Sequence, residues 1–135
     1  MKNMDPELMH AIKKAEEFHR HLGPFLVIGV RMGLIGVRKL GVKDNSEKLR
    51  VTATLRNQVP FSCVVDGIQV ATKCTIGNRK LKLIDSHGIA AEFELPHRKK
   101  TTVTVNPTIF DRFKGSLLSE NVSPEETQKL ALMVA

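Results

Sequence analysis

Tryptophan and tyrosine are absent, and phenylalanine occurs six times in 135 residues. Single-stranded nucleic acids are gripped by stacking bases on aromatic rings, so this chain is poorly equipped for that mode. Cysteine is nearly as scarce, with two in the whole sequence, Cys63 and Cys74. Two thiols cannot build a disulfide scaffold, a four-thiolate zinc site or an iron–sulfur centre by themselves. A bound metal would have to recruit histidine, aspartate, water or a second copy of the chain. Met1 to Leu8 carries charge where a secretory signal would carry an apolar stretch, so the expected location is cytoplasmic. The longest apolar run, Pro24 to Leu40, contains Arg31 near its centre and Arg38 near its end. A central arginine is costly in lipid, and the run reads as a buried helix of a globular protein rather than a membrane span. Also missing are a phosphate-binding glycine loop, a dinucleotide fingerprint and any defensible Ser-His-Asp arrangement.

What is present is one domain's worth of ordinary globular sequence, residues 1–135, with a net charge of +7. The basic residues are spread along the chain, and only His97-Arg98-Lys99-Lys100 forms a cluster. A solvated basic surface explains this spread, and no recognised nucleic-acid motif accompanies it.

Hydrophobic periodicity organises the chain. Asp5-Pro6-Glu7 has the form of a helix start. Leu8, Ala11, Ala15, Phe18 and Leu22 then recur at helical spacing, and Gly23-Pro24 breaks the helix. A second helix runs from Pro24 to Leu40 and stops at Gly41. Gly29, Gly33 and Gly36 lie on roughly one side of it. Each costs helix stability relative to alanine, so close approach of a sheet or another helix is expected there. Leu49 to Arg56 alternates as a strand with one wet face. Phe61, Val64, Val65, Ile68 and Thr72 return to helical spacing, with Cys63 in the first turn. Lys80 to Leu95 reads as a hairpin turning at Ser86-His87-Gly88. Leu81 would then face Phe93, Lys82 would face Glu92, and Lys80 would face Glu94. Thr101, Val103 and Val105 mark a fourth strand, followed by a short helix to Phe113. Ser123-Pro124-Glu125-Glu126 opens a last helix. With one possible crossover among the strands, the fold class is α+β: a mostly antiparallel four-stranded sheet packed against helices.

Two stretches carry chemistry. In Phe18-His19-Arg20-His21-Leu22-Gly23-Pro24, two imidazoles stand two residues apart. On a regular helix they would point about 200° apart, but the Gly-Pro break lets the last turn unwind. Both also suit a helix C-terminus as dipole partners or packed residues. In Phe61 to Thr75, a cysteine near a helix N-terminus has its thiolate favoured by the dipole. Asp66 and Gln69 continue a polar line from Cys63 at three-residue steps. Cys63 and Asp66 are the candidate catalytic groups. His19, His21 and Cys63 are the candidate metal ligands. Cys74 ranks lower, because on a continuous helix it would lie about 16 Å from Cys63. Imidazole and thiolate together suit zinc better than magnesium or calcium.

These two stretches resemble the FmdE family, the E component of formylmethanofuran dehydrogenase, through Phe18-His19-x-His21-x-x-Pro24 and Cys63-Val64-Val65-Asp66-Gly67-Ile68-Gln69 followed by Thr72-Lys73-Cys74-Thr75. The resemblance covers roughly residues 6–95. It implies an FmdE-like α+β core, often a homodimer, with a His and Cys site that binds a metal, commonly zinc. It also implies an accessory or catalytic part in C1 metabolism alongside molybdenum or tungsten oxidoreductase complexes, in archaea and some bacteria. The sequence departs from that pattern. Arg20 stands where glycine is usual, Gly23 where cysteine is common, and Lys73 where glycine precedes Cys74. No cysteine follows Cys74, so the C-terminal zinc ribbon of longer members has no counterpart. The alternative expectation is a non-enzymatic basic module that binds a partner protein or RNA and carries a degenerate metal site. Association through the glycine face of the second helix and through Leu130, Ala131 and Val134 would make it a homodimer.

Overall fold

The computed structural model describes residues 6–42, 48–97 and 99–106. The expected last helices, the capping motif at Ser123 and the apolar residues Leu130, Ala131 and Val134 lie outside the described residues. The elements run α1 (Pro6–His19), α2 (Pro24–Leu40), β1 (Arg50–Leu55), α3 (Cys63–Thr72), β2 (Leu81–Asp85), β3 (Ala90–Leu95) and β4 (Lys99–Thr104). Among the described residues, no helix is long and apolar enough to cross a membrane.

Helix α1 buries Leu8, Ile12 and Ala15, while Phe18 is 60% exposed. The expected stripe through Phe18 is therefore rotated. Steps of four, three and four residues from Leu8 reach Ile12, Ala15 and then His19, which is only 20% exposed at its side chain. That rotation makes His19 the next member of the packed face. The helix ends there because Arg20 turns left-handed, with φ 71°.

Helix α2 is buried along most of its length. Its C-terminus is closed by Gly41 at φ 69°, whose N–H donates to the Arg38 carbonyl while the Val42 N–H donates to that of Val37. The glycine face is filled from within the chain. The backbone of α3 crosses Gly29 so closely that a Cβ there would lie 2.1 Å from the Val64 carbonyl oxygen. Gly36 sits on the Phe93 ring in the same way. That face, expected to meet a sheet or a helix, thus meets both, and it is not an open surface for a second copy. Helix α2 lies on β3 and β4, α3 runs along α2, and α1 closes against both helices.

The four strands form one mixed sheet in the order β2-β1-β3-β4. Strand β1 pairs parallel with β2 and antiparallel with β3, and β3 pairs antiparallel with β4. The expected hairpin does not form, because β1 lies between its two arms. Val51 is opposite Leu81 on one side and Phe93 on the other, and Thr52 is opposite both Lys82 and Glu92. The apolar and charged residues that match each other therefore share one row of the sheet without being neighbours. Alternation fixes the face and the row of a residue, but it does not reveal an intervening strand. Residues 86–89 instead arch over the end of β1, where the Ser86 N–H donates to the Leu55 carbonyl at 3.1 Å. The single crossover is β1–α3–β2, and a parallel pair requires such a connection. The core is made from the inner side chains of β1 (Val51, Ala53, Leu55), Phe93 of β3 and the apolar faces of the helices.

Candidate functional site

The end of α1, the start of α2 and the first turns of α3 meet at one corner. The His19 Nδ1 donates to Asp66 Oδ2 at 2.6 Å, across 47 residues of sequence. Both groups are partly buried, with side chains 20% and 32% exposed. The other oxygen of Asp66 accepts from Gln69 Nε2 at 3.2 Å, and Gln69 Oε1 accepts from the Ile76 N–H at 2.9 Å. The polar line Cys63, Asp66, Gln69 therefore works as a brace. Its last two members hold the imidazole of His19 with Nδ1 occupied, which leaves the Nε2 lone pair as the reactive position.

Cys63 is the first residue of α3, with its N–H donating to the Pro60 carbonyl at 3.1 Å. Ser62 precedes the helix but makes no side-chain capping bond. Cys63, His19 and His21 line one narrow slot of about 10 Å³, walled by Gly23, Pro24 and Pro60. His19 and Cys63 also face a wider cleft of about 260 Å³, with Asp66, Ser62 and Asn57 as its polar lining and Val59, Ile76 and Leu83 as its apolar lining. All three expected ligands thus reach one place, and Asp66 stands beside them. Among the described residues, no group of three His, Cys, Asp or Glu side chains is already gathered as a metal would hold it.

Cys74 is elsewhere. It is 1% exposed, and its thiol donates to the Leu49 carbonyl at 3.4 Å. Burial pushes that thiol above its ordinary value, so it behaves as a small apolar core residue. Ranking Cys63 above Cys74 agrees with this placement. Asn57, together with Arg56 and His87 nearby, escaped the sequence reading. These residues sit on loops whose proximity depends on the parallel pairing of β1 with β2.

Two departures from the family pattern have a local explanation. Arg20 ends α1 at φ 71° and Lys73 ends α3 at φ 63°. Left-handed backbone costs a residue with a Cβ about 1–2 kcal/mol, and glycine escapes that cost. Against this, glycine loses about 0.4–1 kcal/mol more entropy on folding. Arg20→Gly and Lys73→Gly are each expected to raise stability by about 0.5–1 kcal/mol in urea denaturation. A loss of stability in both would show that their side chains contribute more than the strain costs.

Residues 18–134 match the model of the family described as FmdE, molybdenum formylmethanofuran dehydrogenase operon. A curated relative is a probable S-adenosyl-L-methionine-binding protein of Archaeoglobus fulgidus, 39% identical over 83 residues. That match covers 62% of this chain but 23% of the relative, so the chain spans under a quarter of that protein's length where the two align. Among solved structures, an FmdE-like protein of tungsten formylmethanofuran dehydrogenase from Syntrophus aciditrophicus superposes with a TM-score of 0.67 at 18% identity. That superposition covers 99% of this chain and 73% of the other, and it shows the fold. With the family model matched over most of its length, and the motif residues of α1 and α3 meeting at one corner, this chain belongs to the FmdE family.

Proposed function

We propose that this chain binds a zinc-like divalent ion through His19, His21 and Cys63, and serves as an accessory or catalytic component of C1 metabolism linked to molybdenum or tungsten oxidoreductases. The observation that carries the reading is the 2.6 Å contact from Asp66 to His19 beside a slot that Cys63 and His21 also line. A carboxylate on the far nitrogen of an imidazole is the usual outer partner of a ligating histidine. It fixes the tautomer and raises the basicity of the nitrogen aimed at the metal. The donor set of imidazole and thiolate fits zinc. Because three donors are not yet gathered, water and a rotation of the exposed His21 would complete the coordination. The C1 role draws its support from the family description.

A bound zinc ion with an open position would supply Lewis acidity and an acidified water. The chain's own groups would do the rest. Asp66 holds the imidazole of His19, and Gln69 holds Asp66. The apolar side chains Val59, Ile76 and Leu83 limit water in the cleft around His19 and Cys63. Asp66→Asn is expected to weaken zinc binding about 10–100-fold, the usual effect of losing an outer partner. Calorimetric titration of metal-stripped protein reads this directly. Unchanged affinity in Asp66→Asn would contradict the ligand role of His19.

A further inference from the structure

Because β1 and β2 are parallel, their carboxyl ends finish on the same rim, the place where ligands sit in sheets with parallel pairs. A recess of about 430 Å³ opens there, lined by Arg56, Asn57 and Gln58 leaving β1 and by Asp85, Ser86 and His87 leaving β2. The guanidinium of Arg56 lies 5.8 Å from the centroid of the Phe61 ring. Its Nη2 donates to His87 Nδ1 at 3.1 Å. With Nδ1 accepting, the proton of the neutral His87 ring is on Nε2, which becomes a second donor. Among the described residues, no carboxylate lies within ion-pair distance of Arg56. Asp85, the carboxylate in this lining, accepts the Asn57 N–H at Oδ1, at 3.0 Å. Arg56 is therefore a positioned guanidinium with unused donors, in a recess with amide, hydroxyl and imidazole donors around it. A guanidinium fork matches the two oxygens of a carboxylate or phosphate.

Asn57 lines this recess and also the cleft of His19 and Cys63, so the two spaces adjoin. The geometry points to the recess as an oxyanion subsite: it takes the terminal carboxylate or phosphate of a small molecule whose other end lies in the His19–Cys63 cleft. The second half of that statement rests on the function proposed above, whereas oxyanion binding at Arg56 does not. The net charge of +7 attracts such ligands, but it would do so anywhere on the surface.

The test is a ¹H–¹⁵N NMR titration of the full chain at constant ionic strength, with acetate, with inorganic phosphate and with neutral acetamide as separate probes. The expected result is a saturable shift of the Asn57 and Ser86 amides with acetate or phosphate and none with acetamide. Whichever anion binds more tightly names the ligand group. Arg56→Gln, an exposed substitution, should weaken that binding about tenfold or more. Its zinc affinity should be unchanged. Equal shifts with acetamide, shifts scattered over the lysines, or no weakening in Arg56→Gln would each overturn the subsite. Oxyanion binding by a protein that takes up no zinc would defeat the metal reading and leave the subsite standing.

Discussion

Gly67→Ala is expected to cost about 3 kcal/mol or more, enough to leave much of the protein unfolded under mild conditions. A Cβ at position 67 would lie 2.4 Å from the Leu26 carbonyl oxygen and 2.6 Å from the Val30 nitrogen. Both atoms belong to the backbone of α2, so no side-chain rotation relieves the clash. The helices must separate, and the packing between them loosens over its length. Overpacking of a close-fitted core ordinarily costs about 1–3 kcal/mol, and more where backbone is the obstacle. Gly29 faces Val64 from the other side of the same crossing, so Gly29→Ala should be comparably severe. Gly77→Ala is the control, because the nearest atom to its Cβ would be 3.8 Å away. Equilibrium unfolding in urea separates the three. A Gly67→Ala protein within about 0.5 kcal/mol of the parent would mean that the helices do not cross at this distance. The effect reaches function, because α3 carries Cys63 and Asp66 while α1, packed on α2 and α3, carries His19.

That helix crossing is legible in the sequence for a physical reason. Glycine in a helix interior is unfavourable, so glycines repeated on one side must be offset by a contact, and only backbone approach needs them. The faces of the strands are legible too, since Val51, Ala53 and Leu55 alternate cleanly with threonines. The partner of each strand is not. Lys80 to Leu95 satisfies a hairpin register as well as it satisfies two strands flanking a third. The difference lies in long-range pairing with β1, which no local pattern encodes. It has a consequence for the site. A hairpin places no parallel strand ends together, so the recess around Arg56 and His87 could not be foreseen.

For the candidate site, the histidine pair and Cys63 stand out by residue type and by position near helix ends. The contact from Asp66 to His19 does not, because it spans 47 residues and depends on α1 ending at a left-handed Arg20. The stripe from Leu8 through Ile12 and Ala15 points to His19 as a packed residue, whereas a stripe drawn through Phe18 hides it.

Cys63→Ser is expected to remove the larger part of metal binding, whereas Cys74→Ser should leave it intact. Cys63 is the one sulfur donor that faces the slot shared by His19 and His21. Cys74 is buried and donates its proton to the Leu49 carbonyl, so losing it should cost stability rather than metal. Without the thiolate, two imidazoles and water remain, a set with far less preference for zinc. Position 23 offers a gain in the opposite direction. Gly23 lies on the slot wall with φ −120° and ψ 168°, a conformation any residue adopts, so Gly23→Cys would restore a second soft donor. Cobalt(II) is a faithful spectroscopic stand-in for zinc because a bound thiolate gives it an intense charge-transfer absorption that imidazole and water do not. The decisive measurement is therefore the cobalt(II) titration of metal-stripped protein, followed at that band. The account predicts saturation near one ion per chain in the parent and in Cys74→Ser, and no thiolate band in Cys63→Ser. A band that survives in Cys63→Ser and vanishes in Cys74→Ser, or no band in the parent at all, would contradict it.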